Sequence, residues 1–327
     1  MKFSKKSVKR VIFILAYYLG INAIFFWLNR KAKRVVVFHN VIPDELCEGL
    51  PEGLTGLKFS MFKAIVNQCG RHFKFSTDWM DPNALTITFD DGYLNQYSTA
   101  YRHLKSCGIP AILFFSPGTR NVLTIDKMVA WRCQVPRSLV HGGDIGRFWA
   151  ESFWPRYLSD GHSKGENTLA WLDGIYSMEK VMSELPQEFV RLRFGSVSDE
   201  QLQEMRDTGW QIGWHTKTHT PLSALSDEDL RDEMDAPSEF RNVCMAFPYG
   251  TEKSVGESAM KIAEEKGFPC AFSYANASGR NASAFFLPRL PYVSADKYEL
   301  EAILSGLAHF VSYRKLLPKV MVTRGRP

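Results

Sequence analysis

Six short apolar runs rich in β-branched and aromatic residues recur along the chain. They are VVVF at 35–38, LTITF at 85–89, AILFF at 111–115, WQIGW at 210–214, VCMAF at 243–247 and CAFSY at 270–274. Most positions in these runs are apolar rather than alternating with polar ones, as in strands covered on both faces. Between several of them lie helical patterns with start and stop signals. YSTAYRHLKSCG closes on Gly108; SDEQLQEMRDTG opens with Ser198 as N-cap, carries Gln201 at the capping-box position and closes on Gly209. Strands alternating with helices predict parallel βαβ units whose post-strand loops carry the chemistry. A β/α barrel and a doubly wound sheet both satisfy the pattern.

The N-terminal segment has a different pattern. From Val11 to Leu28 it reads VIFILAYYLGINAIFFWL, eighteen residues without a charge. As one helix this would extend roughly 27 Å, enough to span a bilayer core. Lys5, Lys6, Lys9 and Arg10 precede it, and Arg30, Lys31, Lys33 and Arg34 follow it. Basic flanks and the lack of a small-residue cleavage site predict a retained single-pass anchor over residues 1–34, with the body at 35–327. Charge is nearly balanced across the span, so its orientation is left open.

The net charge of +5 comes from this leader. Nine of the 40 Lys/Arg and none of the 35 Asp/Glu lie in residues 1–34, so the body is slightly acidic. That excludes a basic nucleic-acid-binding body. The six cysteines form no CxxC pair, and Cys244 and Cys270 sit in strand-like runs where reduced, buried thiols are expected. Residues 120–190 lack a clear strand and hold Trp131, Trp149, Trp154 and Trp171. They read as a helical insertion beside the site, its indoles mainly core anchors, with one or two suited to lining a sugar groove. Asn-Ala-Ser sequons at Asn276 and Asn281 would matter only in a eukaryotic secretory host.

The candidate chemistry lies at strand ends. LTITFDDGY places Asp90 and Asp91 side by side after an apolar run, in a stretch that would also make a good turn. A later run ends in GWHTKTHTPL, with His215 and His219 four apart in a strand-to-helix turn. One helical turn would face both imidazoles the same way, and a carboxylate from another strand end would complete a three-ligand site with room for water. One aspartate would bind the ion and its neighbour would take a proton from the bound water.

TFDDG, HTKTH and FPYG (247–250), in that order, resemble the metal-dependent polysaccharide deacetylases of the NodB-homology type, over residues 35 to about 290. The resemblance implies a distorted (β/α) barrel and a hydrolase that removes N-acetyl groups from an amino-sugar polysaccharide or lipid-linked glycan. It implies Asp90 as general base, and Asp91, His215 and His219 as ligands of zinc, or of cobalt or nickel, with a metal-bound water as nucleophile. The backbone N–H of Tyr249 would share the oxyanion with the metal. VVVFHNV resembles the branch whose YHxV motif lies N-terminally, which makes His39 the candidate acid; His309, in a helical pattern, is set aside. Where many members carry an arginine before PYG this chain has Met245 and Ala246, and Arg289 in FLPRLPY is the candidate replacement. Trp214 stands where a small residue often precedes the first histidine, which predicts a narrower pocket. Two other readings are a catalytically silent glycan-binding or assembly subunit and a deformylase or amidase acting on a lipid-linked sugar.

Overall fold

A computed structural model of the chain describes residues 5–140, 143–274, 283–290 and 296–317. Both sequons, at Asn276 and Asn281, lie outside the described residues. Nine strands are described: β1 Arg34–Phe38, β2 Val41–Ile42, β3 Leu57–Lys58, β4 Lys74–Phe75, β5 Ala84–Asp91, β6 Ile112–Phe115, β7 Gln211–Trp214, β8 Met245–Ala246 and β9 Ala271–Phe272. All six apolar runs therefore contain a strand, although only two residues of each of the last two runs are in one.

The main sheet is parallel, in the order β1-β5-β6-β7, with β4 also paired to β5. β1, β5 and β6 are buried along their whole length, which explains their unbroken apolar sequence. Register then fixes the site. Phe38 pairs with Phe89, which sets the next residue, His39, level with Asp90. Asp91 pairs with Phe115, and Phe115 with Trp214, so His215 follows at the same end of the sheet. β8 and β9 form a separate parallel pair, with further bridges Phe272–Leu287 and Val36–Leu290. No ladder joins β7 to β8 among the described residues, so a closed barrel is not seen. Two-residue strands are too short to extend one.

SDEQLQEMRDTG forms the helix Asp199–Asp207 with a complete Ser198–Gln201 capping box. YSTAYRHLKSCG begins as a π-helical stretch, Gln96–Tyr101, before the regular helix Arg102–Ser106. The insertion consists of short helices around its own apolar cluster. Trp131 and Trp149 are buried in that cluster, and Trp154 and Trp171 pack against it half-exposed.

Two expectations are corrected. The leader is not one helix but two, α1 Lys5–Tyr18 and α2 Ile21–Leu28, bent 88° apart; among the described residues no single helix is long and apolar enough to cross a membrane, and only this bent pair together has the length and composition to do so. The break falls at Gly20, whose left-handed backbone (φ 70°) ends the helical run. The inner face of the leader packs on the C-terminal helices Lys297–Ser305 and Leu307–Tyr313: Phe13 and Ala16 meet Ala302 and Leu307. Arg34, a flanking charge by its place in the sequence, is instead buried in β1 and donates to the carbonyls of Leu304, Ala32 and Asn29.

The second correction is that Cys244 and Cys270 form a disulfide, Cα atoms 4.8 Å apart. They immediately precede the cross-strand pair Met245–Ala271, a proximity that their 26-residue separation in sequence conceals. Closing a loop of that size stabilises by roughly 3 kcal/mol. The double variant Cys244→Ala/Cys270→Ala is expected to lose about that much in denaturant unfolding, whereas the wild type should lose it only under reductant.

Candidate active site

Asp90 and Asp91 end β5, and successive strand side chains point to opposite faces. The chain escapes that alternation because Asp91 adopts φ 82°, and Gly92 follows at φ 89°. A Cβ on Gly92 would stand 2.4 Å from the Phe115 ring, so only glycine fits. Thr216, His219 and Tyr249 also have left-handed backbones, at φ 62°, 59° and 59°. Such conformations cost of order 1–3 kcal/mol each and gather where the surroundings enforce a function. His215 and His219 thus face one another from an irregular turn, not from the helical turn expected, with ring centroids 5.0 Å apart.

Asp91, His215 and His219 are buried, and one ligand atom from each lies within 4.8 Å of the others. Asp91 Oδ1 stands 3.3 Å from His215 Nε2 and 3.1 Å from His219 Nε2. Neither approach is aligned as a hydrogen bond, and Asp91 Oδ1 and His219 Nδ1 have no hydrogen-bond partner. Three lone-pair donors converging without bonding one another fit a shared cation. The His215 Nδ1–H donates to Ala246 O at 2.7 Å, which leaves Nε2 as the free donor. Burial opposes ionisation of Asp91, but the two imidazoles outweigh it and hold its carboxyl well below the usual range. Burial likewise opposes the charged form of His219, and Asp91 reverses this and raises its pKa.

Asp90 has a different environment. Arg289 grips it with two parallel hydrogen bonds, Nη1–Oδ1 and Nη2–Oδ2, each 2.7 Å. The guanidinium is itself fixed by Ser273 O and Thr88 Oγ1. Burial would raise the Asp90 pKa, but Arg289 and then His215 more than offset it, so the carboxylate stays ionised. His39 Nε2 lies 3.9 Å from Asp90 Oδ2, and its side chain is 41 % exposed. Desolvation, helped by Arg289, depresses its pKa despite both aspartates, so the ring rests neutral.

Tyr249 lies opposite. Its ring packs 4.9 Å from that of His219, its hydroxyl meets Tyr157 Oη at 2.7 Å, and it donates to His219 O. No backbone or side-chain acceptor takes its N–H among the described residues. Gly250 is obligatory beside it, since a Cβ there would stand 1.9 Å from Tyr274 N. Trp154 from the insertion meets the Tyr249 ring edge-on at 5.9 Å. Trp214, expected to narrow the pocket, does not line it: its indole is buried against Phe240 and donates to Glu233 O. Alternation from His215 turns it into the core.

Several supporting residues carried no readable signal. The Gln96 amide donates to the carbonyls of both His39 and Asp90, tying two strand ends together. Buried Glu233 accepts from Thr218 N and Oγ1 and from Lys164, which holds the His215–His219 turn. Asp126 accepts from Tyr93 and Arg193 beneath the site. Gln96 follows FDDG within four residues and could have been suspected; Glu233, Asp126 and Arg193 come from distant, motif-free segments.

The sequence matches the family described as polysaccharide deacetylase over residues 79–270. Among solved structures, IcaB from Ammonifex degensii is similar at TM-score 0.50 and 17% identity, covering 84% of this chain and 97% of that one, which shows a shared fold. The deacetylase PplD of Streptococcus pyogenes gives 0.47 at 14% identity, over 81% and 96% of the two chains. A de-N-acetylase from Aggregatibacter actinomycetemcomitans gives 0.45 at 14%, over 80% and 95%. No curated protein matches. With the family match spanning more than half of the chain, this protein belongs to the polysaccharide deacetylases, hydrolases that de-N-acetylate glycans.

Proposed function

We propose that this enzyme is metal-dependent and removes acetyl from the N-acetyl groups of an amino-sugar polysaccharide or lipid-linked glycan, with Asp90 as its base. The observation that carries the reading is the contrast between two adjacent buried carboxylates. Asp90 is clamped by a guanidinium, and Asp91 faces two imidazoles with an unbonded oxygen. Bound by Asp91, His215 and His219, a zinc-class ion (zinc, or cobalt or nickel) would polarise the amide carbonyl and acidify water.

The chain's own groups do the rest. Asp90 takes the proton that water loses on attacking the acetyl carbonyl. The Tyr249 N–H is free to donate to the oxyanion that forms. The carbon–nitrogen bond then breaks, acetate leaves, and the amine needs a proton. His39 is the nearest candidate to supply it. Being neutral at rest, it must first gain one, and Asp90, 3.9 Å away, is the group that then holds one. Arg289→Lys is expected to lower kcat about tenfold or more with KM little changed, because a lysine cannot grip both oxygens of Asp90.

The insertion supports the substrate assignment. Trp154, half-exposed beside Tyr249, supplies an indole of the kind whose face stacks on the apolar face of a sugar ring. Trp154→Ala is expected to raise KM for a glycan oligomer roughly fivefold and leave kcat nearly intact, losing about 1 kcal/mol of stacking. We also take residues 35–327 as one catalytic unit in which β8, β9 and the bridging segment around Leu287 and Leu290 complete a distorted barrel. The disulfide favours an oxidising compartment, and the basic apolar leader favours attachment to a membrane facing it. Zinc-loaded full-length protein given N-acetylglucosamine oligomers should release acetate. Bound metal with no acetate from any acetylated glycan would leave the silent glycan-binding reading.

A further inference from the structure

The outer face of the leader is apolar where a surface helix should be polar. Val8, Val11, Ile12, Leu15 and Leu19 recur at three- and four-residue steps along α1 and its end, and are between 39% and 71% exposed. On α2, Ile24 and Trp27 are 58% and 62% exposed. The opposite face is already occupied by the body, through Phe13, Ala16, Asn22 and Asn29. An isolated exposed leucine needs no explanation, but a helical stripe of them marks an interaction surface.

We propose that the leader lies in the plane of an anionic lipid surface as a monotopic, half-embedded element, rather than crossing the bilayer. This refines the membrane attachment proposed above and is independent of the catalytic reading.

Length argues first. α1 covers about 21 Å and α2 about 12 Å, each short of the roughly 30 Å hydrocarbon core, so only the two together would have the length to cross, and they meet at an 88° elbow. The body contacts argue next. A crossing helix would have to surrender the Asn22–Ser305 and Asn29–Ser305 hydrogen bonds, 3.1 and 2.9 Å, and strip Ala302 and Leu307 of cover.

Charge identifies the occupant. Residues 1–34 contain no acid, and exposed Lys9, Arg10, Arg30 and Lys31 bracket the apolar stripe, with Arg314 and Lys315 exposed just past the end of the C-terminal helix packed behind it. Arg10 is paired with Asp296 and Arg30 sits over the Trp27 ring at 4.7 Å. Apolar side chains between cations suit acyl chains beneath anionic headgroups, whereas a second copy of this chain would bring the same positive charge against it.

The test uses the full chain in two arms. In flotation, it should bind vesicles of phosphatidylcholine with phosphatidylglycerol about tenfold more tightly than phosphatidylcholine alone, and Leu15→Glu/Leu19→Glu should lose about tenfold or more, with an unchanged thermal melt. In topology, Ser7→Cys and Lys31→Cys, each made with Cys107→Ser, should both react with an impermeant maleimide on intact vesicles. Protection of one of the two sites until detergent is added would mean a crossing helix and overturn the proposal. Equal binding to both lipids would overturn the charge argument. A soluble dimer that ignores vesicles, and that Leu15→Glu/Leu19→Glu converts to monomer, would make a second copy the occupant. Acetate release is measured separately, so failure of the catalytic reading and failure of the lipid-surface proposal are distinguishable.

Discussion

Asp90→Asn is expected to lower kcat about 10³-fold while bound metal stays at the wild-type level. The amide is nearly the same size and can still accept from Arg289 through its one oxygen, so the pocket should persist. What disappears is the ability to take a proton from water. Of the two 2.7 Å bonds from Arg289 one remains, because the amide presents an NH₂ donor in place of the second oxygen. Steady-state kinetics with metal analysis on the same sample checks both halves. Metal loss in this variant equal to that in a His215 variant would mean that the roles of the two aspartates are wrongly divided.

His215→Ala should lose the metal, and activity should fall to background without recovery on adding zinc. Three donors within 4.8 Å become two, and the Ala246 carbonyl loses the imidazole that bonded it at 2.7 Å. An unpaired buried carbonyl costs about 1–3 kcal/mol, so the melting temperature should drop although the fold survives. Equilibrium dialysis against zinc, with circular dichroism to confirm folding, separates loss of the ion from loss of structure. Retention of one ion per chain by this variant would take His215 out of the ligand set.

The strands were legible because full burial demands unbroken apolar runs, and the capping box of Asp199–Asp207 because its signal is local. The clustering of Asp90, Asp91, His215 and His219 could be anticipated from strand ends alone, since parallel strands deliver their C-terminal residues to one edge. Arg289 was inferred from a gap in the expected motif, and the structure places it on Asp90. Features set by contacts between distant segments were not legible. The Cys244–Cys270 bond depends on two strands becoming neighbours, the inward turn of Trp214 on strand phase, and the bend of the leader on one glycine in an otherwise continuous apolar stretch. Glu233 and Gln96 act through hydrogen bonds to loops, which leave no periodic trace in sequence.

The way Asn29 is held bears on whether this enzyme can be shed. Its amide bonds Ser305 O and its carbonyl oxygen accepts from Leu317 N, while its backbone carbonyl takes a proton donor from the buried Arg34. A straight tether can be clipped by a protease and release an intact catalyst into the surroundings. Cleavage ahead of Arg34 here would instead remove the lid from the C-terminal helices and leave a guanidinium partly without acceptors, so the freed fragment would be prone to aggregate. With the leader on a lipid surface as proposed, activity should therefore stay at that surface, and a diffusible form would have to keep its first helices.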